Sequence, residues 1–162
     1  MKRSTNVIIN TRCAIRSQSR DIGGLVFRNN ILIADEAVIE GPLHQAVFEG
    51  NLYRTSANGA VFRDSDRVFK TLVDWARASG REMIDGRMAG LSQDPRLLIP
   101  DRIRELPTDP SQLRTMPFYR VQTDSPCIGA GIIIRDNGKW DFYGNPVDIA
   151  QRPTLGVHEP PR

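Results

Sequence analysis

The chain has 162 residues, of which 40% are hydrophobic and 25% charged, with a formal net charge of +3. That length and balance fit one globular domain with a real core, and they exclude a disordered or fibrous chain. Its arginines are scattered, no apolar run approaches a membrane span, and two distant cysteines, Cys13 and Cys127, make no disulfide framework, so neither nucleic acid nor membrane is an expected partner.

The first third repeats. The segments NVIINTRCA from Asn6, GLVFRNNIL from Gly24 and QAVFEGNLY from Gln45 align with offsets of 18 and 21 residues. These offsets put Val7, Leu25 and Ala46 in one column, Ile9, Phe27 and Phe48 in a second, and Cys13, Ile31 and Leu52 in a third. Asn30 and Asn51 coincide as well, with Arg12 as their counterpart one repeat earlier. A later stretch, Ala37-Val38-Ile39, finds a partner in Ala60-Val61-Phe62.

Short β-branched runs broken by Gly, Asn and Pro argue for strands rather than helical repeats. A period near twenty residues points to a solenoid, with a regularly spaced antiparallel meander as the alternative. The expected fold is an all-β solenoid, a right-handed parallel β-helix of about three coils. Phe27 would then stack on Phe48, and Asn30 and Asn51 would form a short amide ladder at a tight corner.

After residue 64 the pattern changes. Thr71 and Asp74 have capping-box spacing, Leu72, Trp75, Ala76 and Ser79 recur at helical intervals, and Gly80 is placed to end the helix. Trp75 leads the apolar face and is expected to anchor packing. Prolines then punctuate the chain at 95, 100, 107, 110 and 117, which predicts an irregular tail lying over another surface. Only Phe118 to Gln122 alternates well enough for a strand. The domain is thus divided into coils over 1–64 and a short helix plus closing segment over 65–162.

The tail carries an ordered set of motifs. Trp75, Asp94-Pro95, Ser125-Pro126 with Ile128 and Ala130-Gly131, Asp141 with Gly144-Asn145-Pro146, and Leu155-Gly156 with Glu159 follow one another over roughly the last ninety residues. This series resembles the C-terminal closing module of secreted right-handed parallel β-helix proteins of the pectin-lyase-like superfamily. Gly129, Val147 and His158 depart from that pattern, where many relatives have Asp, Arg and Tyr. The resemblance implies an extracellular or periplasmic setting, although the start of this chain has no signal peptide. It also implies a polysaccharide or oligosaccharide partner, and the C-terminal portion of a polysaccharide lyase or glycoside hydrolase whose complete active site lies elsewhere. A non-catalytic carbohydrate-binding or structural module is the alternative, because fold does not select chemistry. A first coil left open would associate with upstream coils or with a second copy.

Candidate sugar contacts are outward polar residues. Asn10, Arg28 and Glu49 share one column in the alignment, where Arg beside Glu would grip a hydroxyl or a carboxylate; a surface ion pair is the plainer reading. His44, in GPLH at a corner, is a candidate base or a solvated turn residue. His158, Asp141 and Glu159 fall in the closing motifs and are expected to pack or to bond turn amides. No cysteine or histidine spacing suggests a metal, and no cofactor is expected; Asp35-Glu36 is a poor calcium site by itself.

Overall fold

The computed structural model describes residues 5–19, 23–56, 59–101 and 106–161. Its strands are short: β1 Val7–Ile8, β2 Cys13–Arg16, β3 Val26–Arg28, β4 Ile31–Ala34, β5 Ala37–Glu40, β6 Val47–Glu49, β7 Leu52–Thr55, β8 Phe62–Asp64 and β9 Arg67–Phe69. A helix, α1 Leu72–Ser79, follows, and then a small hairpin of β10 Met83–Ile84 and β11 Arg87–Met88.

The right-handed parallel β-helix expected from the sequence is not what forms. The strands fall into separate small sheets, ordered β1-β4-β7, β2-β5-β8-β9, β3-β6 and β10-β11, and none of them closes. Neighbours up to β8 pair in parallel, but β9 turns back antiparallel on β8, so that sheet is mixed. Ser65, with φ of 56°, makes the tight reversal that ends parallel pairing. The remaining chain is held by a helix, a hairpin and turns, so no continuous solenoid runs through the molecule.

Pairing registers correct the alignment of the first repeat. Val7 faces Ile31, which faces Leu52, and Cys13 faces Ala37. The first interval is therefore 24 residues, the separation of Asn6 from Asn30, rather than 18. Several apolar residues lie close together in that segment, so two offsets fit its hydrophobic pattern and only the pairing decides between them. Downstream, Phe27 faces Phe48 with ring centroids 4.8 Å apart, and Ile39 faces Phe62.

Alternation along the central sheet gives it two buried faces. Leu32, Ala34 and Tyr53 point into one core with Phe48, Phe62 and Trp75. Their neighbours Ile31 and Leu52 point into a second core with Leu97, Val121, Cys127 and Leu155 of the tail. The tail is thereby fastened to the back of β4 and β7 by apolar burial.

Helix α1 forms where its caps place it. The Thr71 hydroxyl accepts from the Asp74 amide, and Gly80 closes the C-terminus at φ of 72° with its N–H on the Ala76 carbonyl. Trp75 is fully buried, with its ring stacked on Phe62 at 4.4 Å and its indole N–H donating to Asp64. The strand expected over Phe118 to Gln122 is reduced to one antiparallel bridge between Leu97 and Val121, because Tyr119 adopts φ of 62° and breaks the extended run.

An amide ladder runs along the edge where β1, β4 and β7 begin. Asn6 Nδ2 donates to Asn30 Oδ1 at 3.1 Å, and Asn30 Nδ2 donates to Asn51 Oδ1 at 2.7 Å. Asn6, not Arg12, is the first rung. The ladder ends on a buried acid: Glu82 accepts from Asn51 Nδ2 at 2.6 Å, the Gly50 amide at 2.6 Å and the Tyr53 hydroxyl at 2.7 Å. A carboxylate can only accept, so it orients every amide of the ladder with its NH2 toward Glu82. Burial raises the Glu82 carboxyl above the usual carboxylate range, opposed by its donors, and burial beside that acid holds the Tyr53 hydroxyl protonated.

Candidate functional site

The polar column expected from Asn10, Arg28 and Glu49 does not assemble. Asn10 stands in an exposed turn at φ of 56°, two residues beyond β1, whose strand pairs with β4 rather than with β3. Arg28 and Glu49 do face each other across β3 and β6, and their side chains meet at 2.5 Å. Each is the other's partner, so the pair offers a ligand little beyond its outer edge. His44 is exposed on the turn before β6.

Asp35 and Glu36 do not converge on a cation: Asp35 accepts from the Ser56 hydroxyl, and Glu36 pairs with Arg12 at 2.9 Å. Among the described residues there is no cluster of three metal-ligating side chains. Cys13 and Cys127 are both free thiols. Burial raises both, Cys127 to about 11.

In the tail, side chains do the work that strand pairing does elsewhere. The Ser125 hydroxyl donates to the Pro95 carbonyl at 2.6 Å and accepts from the Cys127 amide at 3.1 Å, so SPCIGAG is tied to the Asp94-Pro95 segment. Half-buried Pro126 holds the approach between them. Asn29 brackets Ile132 with two 2.8 Å bonds, one to its amide and one to its carbonyl. Gly156 crosses so close to β4 that a Cβ there would lie 2.8 Å from Ile31, and its φ of 88° also favours glycine.

The final turns are clamped by two acids. Asp141 accepts from the Asn145 amide at 2.7 Å, from Asn145 Nδ2 at 2.8 Å and from the Glu159 amide at 2.7 Å. Glu159 accepts from the Thr154 amide at 2.8 Å. Gly144, at φ of 88°, completes the turn between Asp141 and Asn145. These bonds hold the hairpin that carries Trp140, whose backbone bridges antiparallel to Pro146.

A groove of about 730 Å³ opens beneath that hairpin, between it and the start of β1. Trp140 stands on its lip with 63% of its surface exposed, beside Phe142 at 40%. Asp141, His158 and Glu159 form part of the wall, and Asn6 brings the end of the amide ladder to it. His158 is buried edge-on against Tyr143 at 5.5 Å, and its Nδ1 has no hydrogen-bond partner. Burial lowers its pKa below the usual histidine value, so the ring is neutral at pH 7. Tyr143 is pushed up to about 12 by the same burial, lies under the Arg120 guanidinium, and donates to the Phe118 carbonyl.

Trp140 was not singled out by sequence reasoning, although a signal exists. It lies in NGKWDFYGNP, where Trp140, Phe142 and Tyr143 stand among turn formers with no periodic apolar face available to bury all three. The unpaired nitrogen of His158 has no such signal, since it depends on what the fold fails to bring near. Comparison with protein-family models, with curated proteins and with solved structures finds no match. The superfamily resemblance therefore rests on motif order in the sequence alone. Among the described residues no helix is long and apolar enough to cross a membrane.

Proposed function

We propose that this chain is a non-catalytic carbohydrate-binding protein that holds oligosaccharide in the groove beneath the Trp140 hairpin, in the extracellular or periplasmic setting that its closing motifs suggest. The observation that carries this reading is Trp140, 63% exposed on the lip of a groove of about 730 Å³ whose mainly apolar wall also carries Asn6, Asp141, His158 and Glu159. An exposed indole beside such a groove offers a flat apolar face for a sugar ring, with hydrogen-bonding groups at its edge. The volume lies in the range that takes a small ligand.

Binding is favoured over hydrolysis by the state of the acids. Asp141 and Glu159 are both committed to backbone amides and hold the site's shape, which leaves Asp136 as a single carboxylate on the wall where hydrolysis calls for a pair. The test is retention on a panel of immobilised polysaccharides, read with tryptophan fluorescence. Trp75 is fully buried, so a ligand-induced change reports Trp140. Retention without new reducing ends, lost in Trp140→Ala, is the expected result. Chain-dependent release of reducing ends or of unsaturated uronates would replace this reading with an enzymatic one, and retention that survives Trp140→Ala would move the site elsewhere.

A further inference from the structure

The wall of the groove has a one-sided charge. Asp136, Asp141 and Glu159 line it, while no lysine or arginine does so among the described residues. A uronate-bearing polymer entering there would meet carboxylates with no cation to neutralise its own. The Arg120 guanidinium is taken up by the Tyr143 ring, 4.2 Å from its centroid.

The second observation is the nitrogen of His158. That side chain is 8% exposed and lines the groove, yet its Nδ1 is unpaired. Buried polar atoms are nearly always paired, and leaving one unpaired costs free energy that a ligand group can recover. Other polar groups of the wall are occupied: Asn29 by Ile132, Asp141 by Asn145, and Glu159 by Thr154. That nitrogen is itself sealed from solvent, so a small turn of the ring is what brings it to the groove, where a neutral imidazole nitrogen suits a hydroxyl, which can donate or accept.

We infer that the groove selects an uncharged, hydroxyl-rich glycan over an acidic one, with the unpaired nitrogen of His158 reading a sugar hydroxyl and the carboxylates of the wall excluding uronates. This inference rests on the binding reading above and adds the ligand class and a specificity-determining residue. It runs opposite to the acidic substrates that a pectin-lyase-like resemblance brings to mind.

Calorimetric titration of the whole chain with neutral gluco-, manno- and galacto-oligosaccharides and with oligogalacturonate, at low and raised salt, tests it. At low salt at least one neutral series should bind about tenfold tighter than the uronate, with the gap narrowing as salt screens the wall. Asp136→Lys, at an exposed position, should narrow the same gap without added salt. His158→Phe, which keeps an aromatic edge against Tyr143, should weaken neutral binding about tenfold while the fluorescence response of Trp140 at saturation persists. His158→Gln serves as the second variant if the first does not fold.

Uronate bound as tightly as every neutral series, with Trp140 still required, would overturn the charge selection and leave the binding reading standing. Unchanged neutral affinity in a folded His158 variant would remove His158 from recognition. Failure of every oligosaccharide to bind would remove both the binding reading and this inference.

Discussion

The stacked strands and the tail are both buried, but they satisfy their backbones in different ways. From β1 to β8 the amides pair along parallel ladders, and like residues repeat in register, as Phe27 does on Phe48 and Asn30 on Asn51. From residue 91 onward few backbone ladders remain, and side chains of Ser125, Asn29, Asp141 and Glu159 take up the amides instead. Glu82 joins the two regimes: it lies beyond the stack in sequence yet caps the asparagine ladder with a carboxylate. Beyond β7 a single parallel bridge from Leu52 to Leu91 continues the sheet, and an acceptor-only side chain takes the place of the next asparagine.

Removing that substitute should produce the largest effect. Glu82→Ala strands the amides of Gly50 and Asn51, the Asn51 side chain and the Tyr53 hydroxyl, all buried. A loss of about 4 kcal/mol is expected in chemical denaturation, enough to threaten folding. A loss below about 1 kcal/mol would show that the ladder does not depend on its terminal acid.

The same residue sets a pH dependence. Its carboxyl is raised in the folded chain, so the folded state holds that proton more tightly than the unfolded one. Its contribution is full below the ordinary carboxylate value and declines as pH rises through the raised one. Melting temperature followed from acid to neutral pH should show that declining limb, and Glu82→Gln should flatten it.

Within the stack, Asn30→Ala removes the acceptor of both Asn6 donors and a donor to Asn51, which should cost about 2 kcal/mol. In the tail, Asp141→Ala frees the Asn145 and Glu159 amides and should cost about 1.5 kcal/mol globally. The sharper readout there is hydrogen exchange, which should quicken at Asn145 and Glu159 while the amides of β4 and β7 stay protected. Equal acceleration in both regions would erase the distinction between them. Smallest of all, Arg28→Ala should change stability by less than about 1 kcal/mol, since the pair with Glu49 is partly solvated and sits outside either core.

Part of this organisation is legible in the residues. Thr71, Asp74 and Gly80 announce the helix because caps act locally, and Phe27 with Phe48 announces a register because identical rings repeat at one spacing. The first repeat misleads because small apolar residues crowd that segment, and its true partner spacing is fixed by Asn6 meeting Asn30 across 24 residues. A closed helical wrap was read from periodicity, yet periodicity says only that strands recur; Ser65 and β9 reverse the chain and leave separate sheets. Of the candidate site residues, Arg28 and Glu49 do meet, but they neutralise each other, while Asn10 and His44 stay apart from them on exposed turns.

By itself the sequence determined the local features: short β-branched strands, one capped helix, a proline-rich tail, and asparagines able to sit in a ladder. These follow from the backbone preferences and side-chain chemistry of neighbouring residues. Tertiary structure alone decided that Glu82 caps the ladder, since its partners are 29 to 32 residues away. It alone left Trp140 exposed above a groove and His158 unpaired within it, because exposure and pairing depend on what the rest of the chain does or does not bring near.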